Sequence, residues 1–354
     1  MEIMIADFGT DHWYQCDGFF TGMAPPWYDA ADPASAVTGP RAESTANEQS
    51  LAALQAPVEP SAAWAPVWKA AWGGMARTDP KAKWLYQGWA IRGWSNADGA
   101  SRLRALYDAV PQGQWIPLDM DVQGIWRYFG NYSFFGAPFI WTTLHDFGGN
   151  DGLKGDMRLL AGMPGDALDL GASIVGTGTT MEGINQNPAY YEYTYDTAWH
   201  AKAQPLESWF EDYPTSRYGS ANSAAKEAWD LLRQNVYNYS GCGGFNGFHD
   251  GSGVEWKVFG KPPTCQLPVA AIVAQAWSKL VQAGSAIDPR AFQPLNYDIV
   301  NTGREVLAQL ITSFEHNLTQ AVSEQDKAAA ASWGKTLLGA YASPPARRSA
   351  EPPS

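Results

Sequence analysis

The sequence predicts an α/β fold built on a parallel sheet and followed by an all-helical domain. Between residues 83 and 199, short runs rich in aromatic and β-branched residues alternate with amphipathic segments, the pattern of βαβ units. From residue 205 onward, apolar residues recur only at helical spacing. The stretch 176–193, GTGTTMEGINQNPAYYEY, places a single carboxylate, Glu182, between an apolar run and a proline able to open a helix. It reads as strand, loop and helix. Glu182 then stands at the C-terminal end of a strand, the edge where parallel α/β folds bind ligands.

Taken in order, residues 3–17 read as a helix end feeding a strand. Residues 24–62 are rich in Ala, Pro, Ser and Glu and form an irregular, exposed insertion. Order returns at Ala63, where Trp64, Trp68 and Trp72 share one helical face, a spacing expected of core packing rather than a binding ladder. Strands are expected at 83–89, 114–120, 138–145 and 173–178. The helices between and after them fall at 100–110, 124–129, 154–160, 166–170 and 188 to about 199. These make four clear strand–helix units, or five with the N-terminal one. A closed barrel needs eight. The sheet is therefore either open or part of a barrel whose first strands lie outside this chain.

Helical spacing resumes around Trp209 and over 224–236, 269–281, 295–320 and 328–338. The expected organisation is a partial barrel over 1–200, a helical domain over 201–342 and a disordered tail, SPPARRSAEPPS, over 343–354.

Composition excludes several classes of function. The net charge is −12 with no Lys/Arg stripe, which argues against nucleic acid or an anionic membrane as partner. No run approaches the roughly 20 apolar residues of a membrane span. The first fifteen residues lack the basic region and apolar stretch of a signal peptide, and the compartment stays unassigned. Cys16, Cys242 and Cys265 are too few and too scattered for a disulfide scaffold or a zinc site, although one Cys242–Cys265 bridge stays open. The histidines show no metal spacing, and no Gly-rich dinucleotide fingerprint appears. The 17 Trp and 16 Tyr are either core filler or, in part, rings that stack on the C–H faces of sugars.

Longer motifs narrow this reading. FGTDHWYQCD (8–17), WLYQGW (84–89), LHDFGGN (144–150) and MEGINQNP (181–188) resemble glycoside hydrolase family 89, the α-N-acetylglucosaminidases. The likeness continues through RYG (217–219), VYN (236–238) and YDIVNTGREVLAQL (297–310). The resemblance implies a partial (β/α)8 TIM-type barrel, here its C-terminal half, followed by an all-α domain. It further implies hydrolysis of terminal α-linked N-acetylglucosamine with retention of configuration, no metal and no cofactor.

The same resemblance implies that Glu182 is the nucleophile; the bland alternative is a loop carboxylate beside the helix start at Pro188. Retention needs a second carboxyl group about 5 Å away to protonate the leaving group. In the family this is the glutamate of an Asn-Glu-Met sequence. Here residues 21–23 read Thr-Gly-Met, and Gly22, at the acid position, has no proton to give. Asp17 and Asp29 lie near but off the motif, and Asp119 and Asp121 are the other strand-end carboxylates.

Trp89 matches a sugar-stacking tryptophan, or else packs the barrel rim. His145 and Asn150 either hydrogen-bond the sugar or hold their Gly-rich loop. Trp141 completes the expected sugar-contacting set, while Asn185 and Asn187 are expected to fix the turn and the helix start. The partner expected is a glycan ending in α-GlcNAc, together with a second chain supplying the missing strands. The alternatives are a sugar-binding relic without catalysis and one half of a split enzyme.

Overall fold

The computed structural model describes residues 1–16, 58–91, 97–120, 134–145, 157–169, 171–181, 187–200, 204–237, 270–285 and 292–342, with Leu153, Gly155 and Lys202 between them. The expected insertion up to residue 57, the helix at 124–129, Cys242, Cys265 and the tail lie outside these residues. Two compact units are formed. The first comprises Met1–His145, Leu159–Met181 and Tyr191–Ala203; the second comprises Asp146–Arg158, Glu182–Tyr190 and Gln204–Ser354.

The first unit is a five-stranded, all-parallel sheet in the order β1-β2-β3-β4-β5. Its strands are β1 (Trp13–Gln15), β2 (Lys83–Gln87), β3 (Trp115–Asp119), β4 (Phe139–His145) and β5 (Ile174–Met181). Helix α1 (Glu2–Phe8) leads in; α2 (Ala65–Thr78) and α3 (Ala97–Ala109) connect the early strands, and α4 (Met157–Asp169) joins β4 to β5. The two short helices expected over 154–170 are thus one helix, which continues through Pro164. Helix α5 (Pro188–Thr197) follows β5.

The tryptophan stripe is core. Trp68 and Trp72 on α2 are buried, and Trp68 meets Trp84 and Tyr86 of β2 at 6.3 Å each. Those contacts define the helix-covered face of the sheet. Because side chains alternate along a strand, Leu85 and Gln87, with their ladder partners Ile116 and Leu118, lie on the opposite face. Lys83, Leu85, Gln87, Leu118 and Ile140 are only half-buried there.

Below β1, the carboxylate of Asp79 at the end of α2 gathers His12 Nδ1 (2.7 Å), the Tyr14 hydroxyl (2.7 Å) and the Lys81 amide (3.0 Å). The hydrogen bond from His12 is the main cause holding its pKa down to about 2, from an ordinary 3.8. A carboxyl that binds its proton more weakly when folded stabilises above its unfolded pKa and loses that contribution as pH falls. The melting-temperature gap between the parent and Asp79→Asn is therefore expected to narrow as pH is lowered from about 4 to about 2. A gap that stays constant through that window in thermal melts would show that the cluster does not tie β1 to the α2–β2 turn.

The second unit is helical: α6 (Leu206–Tyr218), α7 (Ser223–Leu232), α8 (Ala270–Ala283), α9 (Phe292–Ser323) and α10 (Lys327–Ala342). Asn222 caps α7, its side-chain oxygen accepting from the Ala225 amide at 3.0 Å. Ala224, Ala225, Ala228, Trp229 and Leu232 then make one buried face. The core is aromatic: Trp209 stacks on Tyr213 at 4.5 Å, and Tyr213 meets Trp229 edge-on at 4.7 Å. A π-turn, Arg233–Tyr237, extends α7.

Candidate active site

All five strands run parallel, so their C-terminal ends form one edge of the sheet. Along that edge lie Gln87, Asp119, His145 and Met181, the last residues of β2 to β5. Glu182 directly follows Met181 but lies, with residues 183–186, outside the described residues, as do Gly22, Asn150 and Asp121.

Trp89 is one turn further than the sequence places it. β2 ends at Gln87, and Trp89 sits in the 3-10 turn Gly88–Ile91 that follows; its side chain is outside the described residues. The turn passes so close to β3 that a Cβ on Gly88 would fall 2.3 Å from the Leu118 carbonyl oxygen. Glycine is required there by space, and its absence of a side chain sets where Trp89 leaves the sheet.

Trp141 and His145 lie on the helix-covered face, not the open one. The register pairs Trp141 with Asp119 on one side and Thr177 on the other, and Trp141 is 0% exposed. Its indole nitrogen is buried without a hydrogen-bond partner among the described residues. His145 is 2% exposed and packs edge-on against Tyr191 of α5 at 5.7 Å, while the Tyr191 hydroxyl donates to the His145 carbonyl at 3.3 Å. Both rings pack at the β4 end, on the face of the sheet that the helices cover. The run FIWTTLH hides this, because apolar and polar residues do not alternate along it.

Asp119 is fully buried, and its carbonyl accepts from the Thr142 hydroxyl at 2.5 Å, locking the end of β3 to β4. On α5, Thr179 of β5 pairs with the Tyr195 hydroxyl at 2.7 Å, and burial pushes the Tyr193 phenol up to about 12. Asn187, immediately before α5, is 1% exposed, and its Oδ1 accepts from the Tyr237 hydroxyl at 2.7 Å. Tyr237 lies in the VYN motif, but nothing local in the sequence pairs it with Asn187, 50 residues away. Among the described residues, no group of three or more His, Cys, Asp and Glu side chains is arranged to hold a metal ion. No described helix is long and apolar enough to cross a membrane.

A parallel sheet whose strands β4 and β5 end within the motifs, followed in the chain by a helical unit, is the plan of part of a (β/α)8-barrel protein with a helical domain. Comparison with known proteins agrees. Residues 1–201 match the family model for the alpha-N-acetylglucosaminidase (NAGLU) tim-barrel domain, and residues 209–343 match that for the NAGLU C-terminal domain. The chain belongs to the alpha-N-acetylglucosaminidase family.

Human alpha-N-acetylglucosaminidase is 30% identical over 335 residues, which cover 92% of this chain and 39% of the human protein. The family 89 glycoside hydrolase from Clostridium perfringens in complex with PUGNAc matches at a TM-score of 0.61 and 20% identity, over 78% of this chain and 31% of that one. A second structure from that organism, in complex with its substrate GlcNAc-α-1,4-galactose, matches at 0.62 and 21%, over 78% and 30%. The chain thus spans well under half the length of these relatives.

Proposed function

We propose that the chain is the C-terminal barrel portion and helical domain of a retaining, exo-acting α-N-acetylglucosaminidase, with Glu182 as nucleophile. The observation that supports the reading is that the motif MEGINQNP begins at Met181, the last residue of β5, on the C-terminal edge of a parallel sheet. A carboxylate there attacks the anomeric carbon, the bond to the leaving oxygen breaks, and water later cleaves the glycosyl ester. Trp89 and Asn150 are the side chains proposed to contact the sugar; His145 and Trp141 support the β4 end from behind. With Gly22 at the family's acid position, the leaving group receives no proton from that site.

This makes substrate choice diagnostic. An aryl α-N-acetylglucosaminide leaves as a stabilised phenolate and needs little protonation. GlcNAc-α-1,4-galactose leaves as a sugar alkoxide and needs a full proton. The chain is expected to turn over the aryl glycoside and to favour it by about a hundredfold or more over the disaccharide. Glu182→Gln is expected to remove the aryl activity by on the order of a thousandfold. Aryl turnover that survives in Glu182→Gln, or none from folded parent protein, would sink the assignment.

A second reading is that the chain works with a second polypeptide. It is favoured by the sheet itself, in which β1 and β5 are the outer strands and the face opposite the helices is half-exposed. Further strands on those edges would cover the open face and close the barrel.

A further inference from the structure

We propose that two side chains of the helical unit, Tyr237 and Glu305, are positioning residues that anchor the chain just beyond the two motifs. Tyr237 holds Asn187, which follows Glu182 in the same motif, and Glu305 holds Leu153, which follows the motif containing Asn150. The functional consequence rests on the reading of Glu182 given above; the anchoring itself does not.

The first anchor is close to Glu182 in the chain. Only residues 182–186 separate Met181, at the end of β5, from the buried Asn187. Asn187 begins α5, its carbonyl accepting from the Tyr190 amide at 3.1 Å, and its side chain accepts the Tyr237 hydroxyl at 2.7 Å. Tyr237 is 0% exposed and is gripped by Phe210 at 5.5 Å and Trp229 at 6.3 Å, so its hydroxyl is a donor in a fixed place. It is delivered there by the π-turn that ends α7. Such turns widen the helix, rotate the following side chains and concentrate at functional sites. A regular α-helix through residue 237 would carry the phenol round the axis and away from Asn187.

The second anchor is a buried carboxylate. Glu305 on α9 is 2% exposed; its Oε2 accepts from the Leu153 amide at 3.3 Å and its Oε1 from the Gln309 side chain at 3.0 Å. Through this bond the carboxylate holds the main chain of a segment 152 residues earlier. That segment follows the motif LHDFGGN, which contains Asn150, in the sequence. Accordingly, Asp146–Arg158 and Glu182–Tyr190 both group with the helices rather than with the strands that precede them.

Hydrogen exchange on the full chain, read peptide by peptide, tests the anchoring without requiring activity. Tyr237→Phe keeps the stacked ring and removes only the hydroxyl. Amides of 182–190 are expected to exchange about tenfold faster, with peptides from β2 and α8 unchanged. Glu305→Gln is expected to produce the same local effect over 146–158. On the aryl glycoside, Tyr237→Phe should lower kcat, counted per folded molecule, by about ten- to a hundredfold with little change in KM. Unchanged exchange at 182–190, or faster exchange throughout the chain, would overturn the proposal. A parent chain inactive on the aryl glycoside would instead count against the functional reading alone, and the exchange result would still decide the anchoring.

Discussion

Gly88→Ala is expected to cost the protein about 3 kcal/mol or more and to lower its melting temperature by roughly 6–12 °C. The added Cβ would lie 2.3 Å from the Leu118 carbonyl oxygen, 3.3 Å from its carbon and 3.4 Å from the Asp119 Cα. All three are backbone atoms of β3, which is paired with β2 on one side and β4 on the other. No side-chain rotation relieves the clash, so either the ladder opens or the turn carrying Trp89 lifts away. Gly73→Ala on α2 is the control. Outside its own helix backbone, the nearest atom to an added Cβ is the tip of the Arg77 side chain at 3.9 Å, and the change should be neutral or stabilising by about 0.5–1 kcal/mol. If circular-dichroism melts show Gly88→Ala within a degree or two of the parent, the close approach of the turn to β3 is wrong.

Asp298→Ala is expected to destabilise the helical unit by about 3–5 kcal/mol. Arg217 grips this carboxylate with two hydrogen bonds, Nε to Oδ2 at 2.6 Å and Nη2 to Oδ1 at 3.0 Å. The Tyr218 hydroxyl adds a third at 2.8 Å and itself accepts from the Trp229 indole at 3.0 Å. The two charged side chains are only 11% and 4% exposed. Burial pushes the Asp298 carboxyl above its ordinary pKa, with the hydrogen bonds from Arg217 and Tyr218 opposing that rise. Removing Asp298 leaves a desolvated guanidinium and a hydroxyl without their acceptor, which is the expensive way to break a buried pair. Arg217→Met combined with Asp298→Leu removes both charges and should cost far less than the two single changes added together. Denaturant melts of the four proteins measure this directly. Additive losses would mean that the pair is not the unit joining α6 to α9.

Much of the fold was legible locally. The alternation of runs and amphipathic segments marked the strands now seen as β2 to β5, and HWYQ marked β1. Strand ends were less legible: WLYQGW reads as strand through Trp89, yet β2 stops at Gln87 because the chain must turn tightly over β3 at Gly88. Of the candidate site, the motif at 181–188 pointed to Glu182 by its position after a strand and by its likeness to the family. The facing of Trp141 and His145 was not legible. Neither was the purpose of RYG, VYN and the 297–310 motif, whose Arg217, Tyr237, Asp298 and Glu305 turn out to be the helical unit's buried anchors.

By itself the sequence determined the order and class of the elements and the family, because these are written in periodicity and in contiguous motifs. Only the tertiary structure decided which face each strand residue takes, where backbone meets backbone, and which distant residues share a hydrogen bond. The reason is physical. A strand without apolar/polar alternation carries no phase in its polarity, and the space around Gly88 belongs to another strand. The partners Asn187 and Tyr237, or Arg217 and Asp298, are joined across 50 and 81 residues that no local pattern spans.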